Sequence, residues 1–443
     1  MKFNYTILLG ALLLSACGDD EEAKDQPGTD MGDAGAGEME SDGGSEAQDG
    51  GTDGPADLSG KPSFAVTLSD YESAGVALID GEGEVLDEKF ISSGSEVPGL
   101  SSALHGDIAL PTQPCEAGVL TVVARSGGDY VLQVDLESGE VVHQVSTQGA
   151  TGGAAYSSNP QDILCLGDGK ALVSRFEPSF DPKAAELDKG DDLIRIDLES
   201  DKILSRIDLS KLRGKADGFD ADGKPEEQVA YARPGSVVRI GEYAVVGLSR
   251  LTASFTAADG LLAIVKLSDD SVASAPLPEF KNCGSVLPVS GREDAVIVGC
   301  SGSPFADPMT SGFLLVSLDA EGKVSIEQSF KAKAKDPVIY AGAVSLGGTR
   351  MLGIATGDFT AGSPDTAYVL DLATGETSAV FSSALAGELG GGAFRAETGL
   401  LLVPDAGKGV RTFKVAADKL EAGEILDVPA ALPARSARPL VAL

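Results

Sequence analysis

From residue 61 onward the chain repeats one phrase seven times: a short β-rich apolar run, a Gly- or Asp-containing turn, then a second β-rich run. The copies begin as GVALIDGEGEVLDEKF (75–90), YVLQVDLESGEVVHQV (130–145), DLIRIDLESDKILSRI (192–207) and LLAIVKLSDDSVASAP (261–276). They continue as FLLVSLDAEGKVSIEQ (313–328), AYVLDLATGETSAVF (367–381) and GVRTFKVAADKLEAGEI (409–425). A strand-built repeat of roughly 50 residues is the sequence signature of a propeller blade.

Each hairpin supplies the outer two strands of a four-stranded blade, and two further strand-like runs precede it. These are 105–110 and 119–125 in blade 2, 161–166 and 171–175 in blade 3, and 236–240 and 243–248 in blade 4. Blades 5 to 7 offer 283–289 and 295–300, 343–346 and 351–356, and 393–396 and 400–404. Gly-containing turns separate the runs, as tight hairpins require. The first repeat has three strands only, while residues 438–443 read as a lone strand. Arg438-Pro439 also echoes Asn159-Pro160 and Arg233-Pro234, which begin inner strands. The C-terminal strand is therefore expected to complete blade 1 and remove the exposed edges. The predicted fold is an all-β, seven-bladed propeller of antiparallel blades over 61–443.

The turns Asp371-Leu-Ala-Thr-Gly-Glu376 and Asp135-Leu-Glu-Ser-Gly-Glu140 resemble those of YVTN-type and quinoprotein-like propellers. The resemblance covers the repeat body and supports the fold. Quinoprotein enzymes use tryptophans to dock blades and line the cofactor, and this chain has no Trp. The resemblance thus counts against that chemistry.

The N-terminus carries an export signal: Lys2, an apolar stretch from Ile7 to Leu14, then Leu14-Ser-Ala-Cys17. The stretch is too short to span a bilayer. Leu-Ser-Ala-Cys resembles the bacterial lipobox, which implies a signal peptide over 1–17, lipidation of Cys17 and attachment to the membrane through acyl chains. By resemblance to proteobacterial lipoproteins, Gly18 in place of Asp after the cysteine points to the outer membrane. Residues 18–60 hold fourteen Asp or Glu and one Lys with almost no large apolar side chains, so a disordered, extended acidic tether is expected. The tether carries about −13 of the chain's net −34, leaving roughly −22 on the body. That sign argues against nucleic acid and against lying on anionic lipid.

Four cysteines remain, and an even number in an exported chain suggests disulfides. Cys283 and Cys300 are symmetric about Gly291-Arg292; with those two residues as the turn, they face each other as a non-hydrogen-bonded pair. Cys115 then pairs with Cys165 between adjacent blades, free buried thiols being the alternative. No CxxC or Cys/His spacing indicates a metal. The acidic stretch from Asp217 to Gly223 invites a calcium reading, but it fails the EF-hand register at Gly218 and Val229, and a solvated loop is the plainer one. No cofactor is expected otherwise.

Loops between second and third strands gather with the blade-to-blade crossings on one face, including the long 209–233 segment. Binding residues concentrate on loops held by a rigid scaffold. At this face Arg125, Arg175 and Arg250 occupy equivalent positions in blades 2 to 4, against Asp70, Asp358 and Asp405 in blades 1, 6 and 7. Phe180, Phe255, Phe305 and Phe359 recur in the same loops, either packed beneath them or forming an aromatic rim. His143 reads as a surface residue, and His105 faces the channel. Two functions follow. The first is a monomeric, membrane-anchored binding or scaffold module for an envelope protein, glycan or small ligand. The alternative is a hydrolase or lactonase-like enzyme whose central metal would draw on Asp70, His105, Asn159, Asp358 and Asp405.

Overall fold

The computed structural model describes residues 60–97, 102–149, 156–220, 222–303, 308–332, 339–416, 419–428 and 432–441. Cys17, the signal segment and the tether up to residue 59 lie outside these residues, as does Phe305. The described chain is a seven-bladed propeller of four-stranded antiparallel sheets. Blade 1 joins Pro62–Ser69, Ala74–Asp80 and Val85–Ser92 to the last strand, Ala434–Pro439. Blade 2 comprises Ile108–Ala109, Val119–Ala124, Tyr130–Asp135 and Val141–Ser146; blade 3 comprises Pro160–Gly167, Lys170–Pro178, Gly190–Asp197 and Lys202–Asp208. Blade 4 runs Pro234–Ile240, Tyr243–Leu248, Asp259–Lys266 and Val272–Lys281, and blade 5 Ser285–Val289, Arg292–Cys300, Gly312–Leu318 and Val324–Lys331. Blade 6 runs Ile339–Gly347, Arg350–Thr356, Thr366–Asp371 and Glu376–Ser382, and blade 7 Ala393–Arg395, Leu400–Asp405, Gly409–Val415 and Leu420–Leu426.

The recurring turn has a simple mechanical reason. Asp135 Oδ1 accepts from the amides of Glu137 and Ser138, while Gly139, at φ 70°, returns its amide to the Asp135 carbonyl at 2.9 Å. Gly375 and Asp371 repeat the arrangement. Where glycine is missing, Asp201 and Asp270 take the left-handed position at φ 53° and 60°, which short polar side chains tolerate.

Second and third strands are buried on both faces, and fourth strands are half exposed; Ala74–Asp80 and Val85–Ser92 show the contrast. Each of the seven blade interfaces holds its own apolar cluster of Val, Leu, Ile and Ala with a few Phe. Such small-residue packing needs no tryptophan.

Ring closure occurs as the sequence predicts, with different bounds. The closing strand is Ala434–Pro439 rather than 438–443, pairing Phe64 with Pro439 and Thr67 with Ser436. Hence Pro160 and Pro234 begin their strands, whereas Arg438-Pro439 ends its own. His105 lies ahead of its short inner strand, not within it. The 209–233 crossing is not a plain loop: it folds into an extra hairpin, Gly214–Phe219 against Pro225–Ala230.

Both disulfides are present: Cys115–Cys165, with Cα atoms 5.2 Å apart, and Cys283–Cys300, at 3.9 Å. The turn of the second hairpin is Ser290-Gly291, because Val289 pairs with Arg292, and a bulge then shifts the strands so that Ser285 faces Gly299. Continued, that register sets Cys283 opposite Ser301. Cys283 has left the hairpin and bridges Leu248 of blade 4, which frees it to reach Cys300 diagonally. The two bonds are of the kind that persist in an oxidising, extracytoplasmic compartment.

On chain-entropy grounds, the bond spanning 50 residues contributes about 4 kcal/mol and the one spanning 17 about 3 kcal/mol. The paired variant Cys115→Ala/Cys165→Ala should lower the midpoint of denaturant unfolding more than Cys283→Ala/Cys300→Ala. Equal or reversed losses would show that native-state packing, not loop closure, sets these contributions.

Candidate functional site

The three loop-face arginines are held inside the protein. Arg175 is fully buried and forks onto Asp192, with Nε to Oδ1 and Nη2 to Oδ2 both at 2.8 Å. Its Nη1 donates to the carbonyls of Thr147 and Leu187. Burial alone would lower its pKa, but hydrogen bonds and charge from Asp192 outweigh that and raise it. Arg206 Nε also donates to Asp192, and its Nη1 reaches Glu186 at 3.0 Å, extending the network outward. Arg125 binds Asp107 Oδ1 from Nε at 2.9 Å. Arg250 donates to the carbonyls of Leu212 at 3.1 Å and Asp259 at 2.6 Å. These side chains brace the loops from beneath instead of converging on an open basic arc.

The acidic partners have equally local duties. Asp70 Oδ1 accepts from the amides of Glu72 and Ser73, and those bonds lower its pKa. Asp358 does the same for Thr360 and Ala361, with the same direction of shift. Asp405 is buried and takes Arg411 Nε at 2.7 Å. His105 Nδ1 accepts the Asp107 amide at 3.2 Å, and Asn159 Oδ1 accepts from Gln161 at 2.7 Å. His143 lies 3.7 Å from Asp201 on an outer strand. Among the described residues no three His, Cys, Asp or Glu side chains stand together as metal ligands. The acidic turn in 217–223 is the tip of the extra hairpin, where Asp220 Oδ1 accepts the Asp222 and Lys224 amides.

The repeated phenylalanines divide. Phe255 packs with Phe176, Leu251 and Ala257, with the Arg233 guanidinium 4.7 Å from its ring centre. Phe359 is half buried. Phe180 is 64% exposed and meets Tyr231 edge-on at 5.5 Å. Tyr231 follows the extra hairpin, whose Phe219 and Val229 are 52% and 48% exposed. The Phe219 amide donates to Ser254 Oγ of blade 4 at 3.3 Å, and Ser254 Oγ donates to Gln228 at 2.9 Å. The loop face over blades 3 and 4 thus exposes apolar side chains at separate points: Phe180 against Tyr231 at the root of the hairpin, and Val229 and Phe219 along its outer face on either side of the paired Asp217 and Glu227, with Lys215 bonded to Glu227. Phe180 was legible through its repeat; nothing in composition announced that the crossing would fold into a hairpin and expose Phe219 at its tip.

A second feature lies elsewhere in the ring. The central channel holds a cavity of about 340 Å³ bordered by the inner strands of blades 5, 6, 7 and 1, towards the face of short turns. Residues 110–118 of blade 2 cross there. The Thr112 amide donates to Asp162 of blade 3 at 2.9 Å, Gln113 Oε1 accepts the Arg239 amide of blade 4 at 2.7 Å, and Cys115 is bonded to Cys165. Asp162 also takes the Val237 amide at 2.8 Å, so one carboxylate joins three blades; burial raises its pKa against those amide bonds.

Solved structures share this propeller geometry. The Pseudomonas aeruginosa periplasmic gluconolactonase superposes with a TM-score of 0.56 at 15% identity, over 86% of this chain and 100% of that one. A candidate 6-phosphogluconolactonase from Bacteroides fragilis gives 0.53 at 11% identity, over 87% and 100%. At such identities the likeness establishes the fold alone. No protein-family profile and no curated protein sequence matches the chain.

Because Arg175 is bound on every side in the interior, Arg175→Met should cost about 3–5 kcal/mol by leaving Asp192 and two carbonyls short of donors. Chemical denaturation measures this. A change below about 1 kcal/mol would mean that Arg175 is held ready for a ligand and not for the fold.

Proposed function

We propose that this protein is a monomeric, membrane-anchored extracytoplasmic binding module that engages an envelope protein through the loop face of its propeller. The observation that carries this reading is the exposure of Phe180 on a blade 3 loop and of Phe219 and Val229 on a hairpin additional to the blades. Exposed aromatic and aliphatic side chains interspersed with charges are groups that binding interfaces use, the apolar ones supplying energy and the charged ones orientation. The acidic excess of the hairpin favours a partner surface that offers basic groups beside apolar ones. Lipidated Cys17 and the acidic 18–60 segment fit this role by holding the propeller at a distance from an outer-membrane surface that the negative body would otherwise avoid. The hydrolase reading has less behind it, since its five candidate ligands are engaged in separate hydrogen bonds.

A photo-reactive residue at position 180 or 219 should cross-link one envelope protein in cells, while the same residue at Glu242, in a short turn of the opposite face, should not. Phe180→Ala/Phe219→Ala should abolish co-purification of that protein without changing the melting temperature. Cross-links equally frequent at 242 would overturn the loop-face reading. Cys17→Ser should release the protein from the membrane fraction; retention there would overturn the anchor.

A further inference from the structure

Among the described residues, one arginine of the channel wall, Arg438, has no counter-ion. Arg438 sits on the closing strand and lines the channel cavity. Its Nη1 donates to the carbonyls of Gly392 at 3.3 Å and Ala437 at 3.0 Å. Its Nε is buried without an acceptor. Nη2 makes no hydrogen bond among the described residues. No carboxylate reaches Arg438 within ion-pair distance; Asp162, whose field acts on it, already has its oxygens occupied by three amides from Thr112, Ile163 and Val237. Burial lowers the Arg438 pKa and Asp162 only partly opposes that. A guanidinium desolvated in this way is costly unless an anion completes it. Arg175 and Arg233, which are more deeply buried, do have carboxylates, Asp192 and Glu177, although Arg233 Nε is likewise without an acceptor.

The surroundings define the anion. Apart from Arg438, the walls combine Leu287, Val289, Val344, Phe394 and Leu440 with the polar Thr112, Ser290 and Ser345. Arg395 and Glu397 also line the cavity, Arg395 with Nη1 given to the Ser63 and Leu440 carbonyls and Nε 3.7 Å from Glu397. A volume of about 340 Å³ is at the small end of ligand pockets. A planar guanidinium donor in a chamber whose walls are mainly apolar suits a planar carboxylate attached to a small hydrophobic body. The strap of residues 110–118, with Thr112 and Pro114 on the cavity wall and Cys115 fixed by its disulfide, makes the chamber rigid and closes it on one side.

We infer that the channel is a binding site for a small apolar carboxylate, received by Arg438 beneath the disulfide-held strap. The site lies away from the exposed loop-face side chains and does not depend on them.

The test uses the full chain and measures melting temperature and calorimetric affinity with acetate, butyrate and benzoate, against the neutral amides butyramide and benzamide and against inorganic phosphate. Stabilisation should rise from acetate to benzoate, and benzamide should give none. Arg438→Gln should weaken benzoate binding by about tenfold or more, as loss of a charged hydrogen-bond donor implies. Val344→Phe, which keeps the arginine and fills the chamber, should also abolish binding. Should either variant fail to fold, the carboxylate–amide comparison on the unaltered protein still decides. Equal effects of benzoate and benzamide, no effect from any carboxylate, or phosphate matching benzoate would each overturn the assignment. Phe180→Ala/Phe219→Ala should leave benzoate affinity unchanged, so failure of this site and failure of the loop-face reading are separate results.

Discussion

The ring depends on one antiparallel pairing. Pro62–Ser69 pairs outward with Ala74–Asp80, and its inner side is met only by Ala434–Pro439, arriving from the far end of the chain. The seam is reinforced at both ends: the Ser69 amide donates to the Pro433 carbonyl and the Leu440 amide to the Ser63 carbonyl, each at 2.9 Å. In the middle Thr67 and Ser436 exchange a side-chain hydrogen bond of 2.8 Å. Behind it, Phe64, Val66 and Leu68 pack with Ala434 and Ala437 and with blade 7. Without that pairing, blade 1 would present an open edge and two of the seven interfaces would lose a wall.

Closure also explains how polar groups are distributed. Repeated hairpins supply the apolar walls, but the inner strands and loop roots must turn sharply, leaving backbone groups with no strand to pair with. Arg175, Arg250 and Arg395 serve carbonyls at such places, while Asp129, Asp162 and Asp365 serve amides. Asp129 Oδ1, for example, accepts from Ser157, Ser158 and the Asn159 amide, fixing the approach to blade 3. Charge at the loop face is therefore largely structural. The exceptions, exposed apolar side chains on the loop face and a channel arginine with no carboxylate among the described residues, stand out because so many other charges meet specific partners.

The blades were legible because the repeat imposes the same requirement seven times: an apolar strand pair and a turn that an Asp can cap and a Gly or Asp can bend. The disulfide partners were legible for a similar reason, since repeat spacing set Cys115 beside Cys165. Finer register was not. A single bulge near Pro288 moved Cys283 out of line with Cys300, and no residue type marks a bulge reliably. Arginines at equivalent positions looked like a binding arc, but aligned positions can also be aligned solutions to one backbone problem, and their carboxylate partners come from other segments: Asp107 for Arg125, Asp192 for Arg175. Arg438 was seen only as part of a strand-starting dipeptide; its solitude depends on where Asp162 sends its oxygens, which sequence does not record.

The seam has a mechanical consequence. Its N-terminal strand, Pro62–Ser69, follows the acidic segment in sequence, and it lies between two hydrogen-bonded neighbours, Ala74–Asp80 and Ala434–Pro439. A pull on the N-terminus is thus carried along the strand axis and shared by two ladders at once, so that many hydrogen bonds must yield together. An outermost strand under the same tension would come away one bond at a time. Tension entering ahead of Pro62 would therefore load an interior strand of blade 1 and not an outermost one.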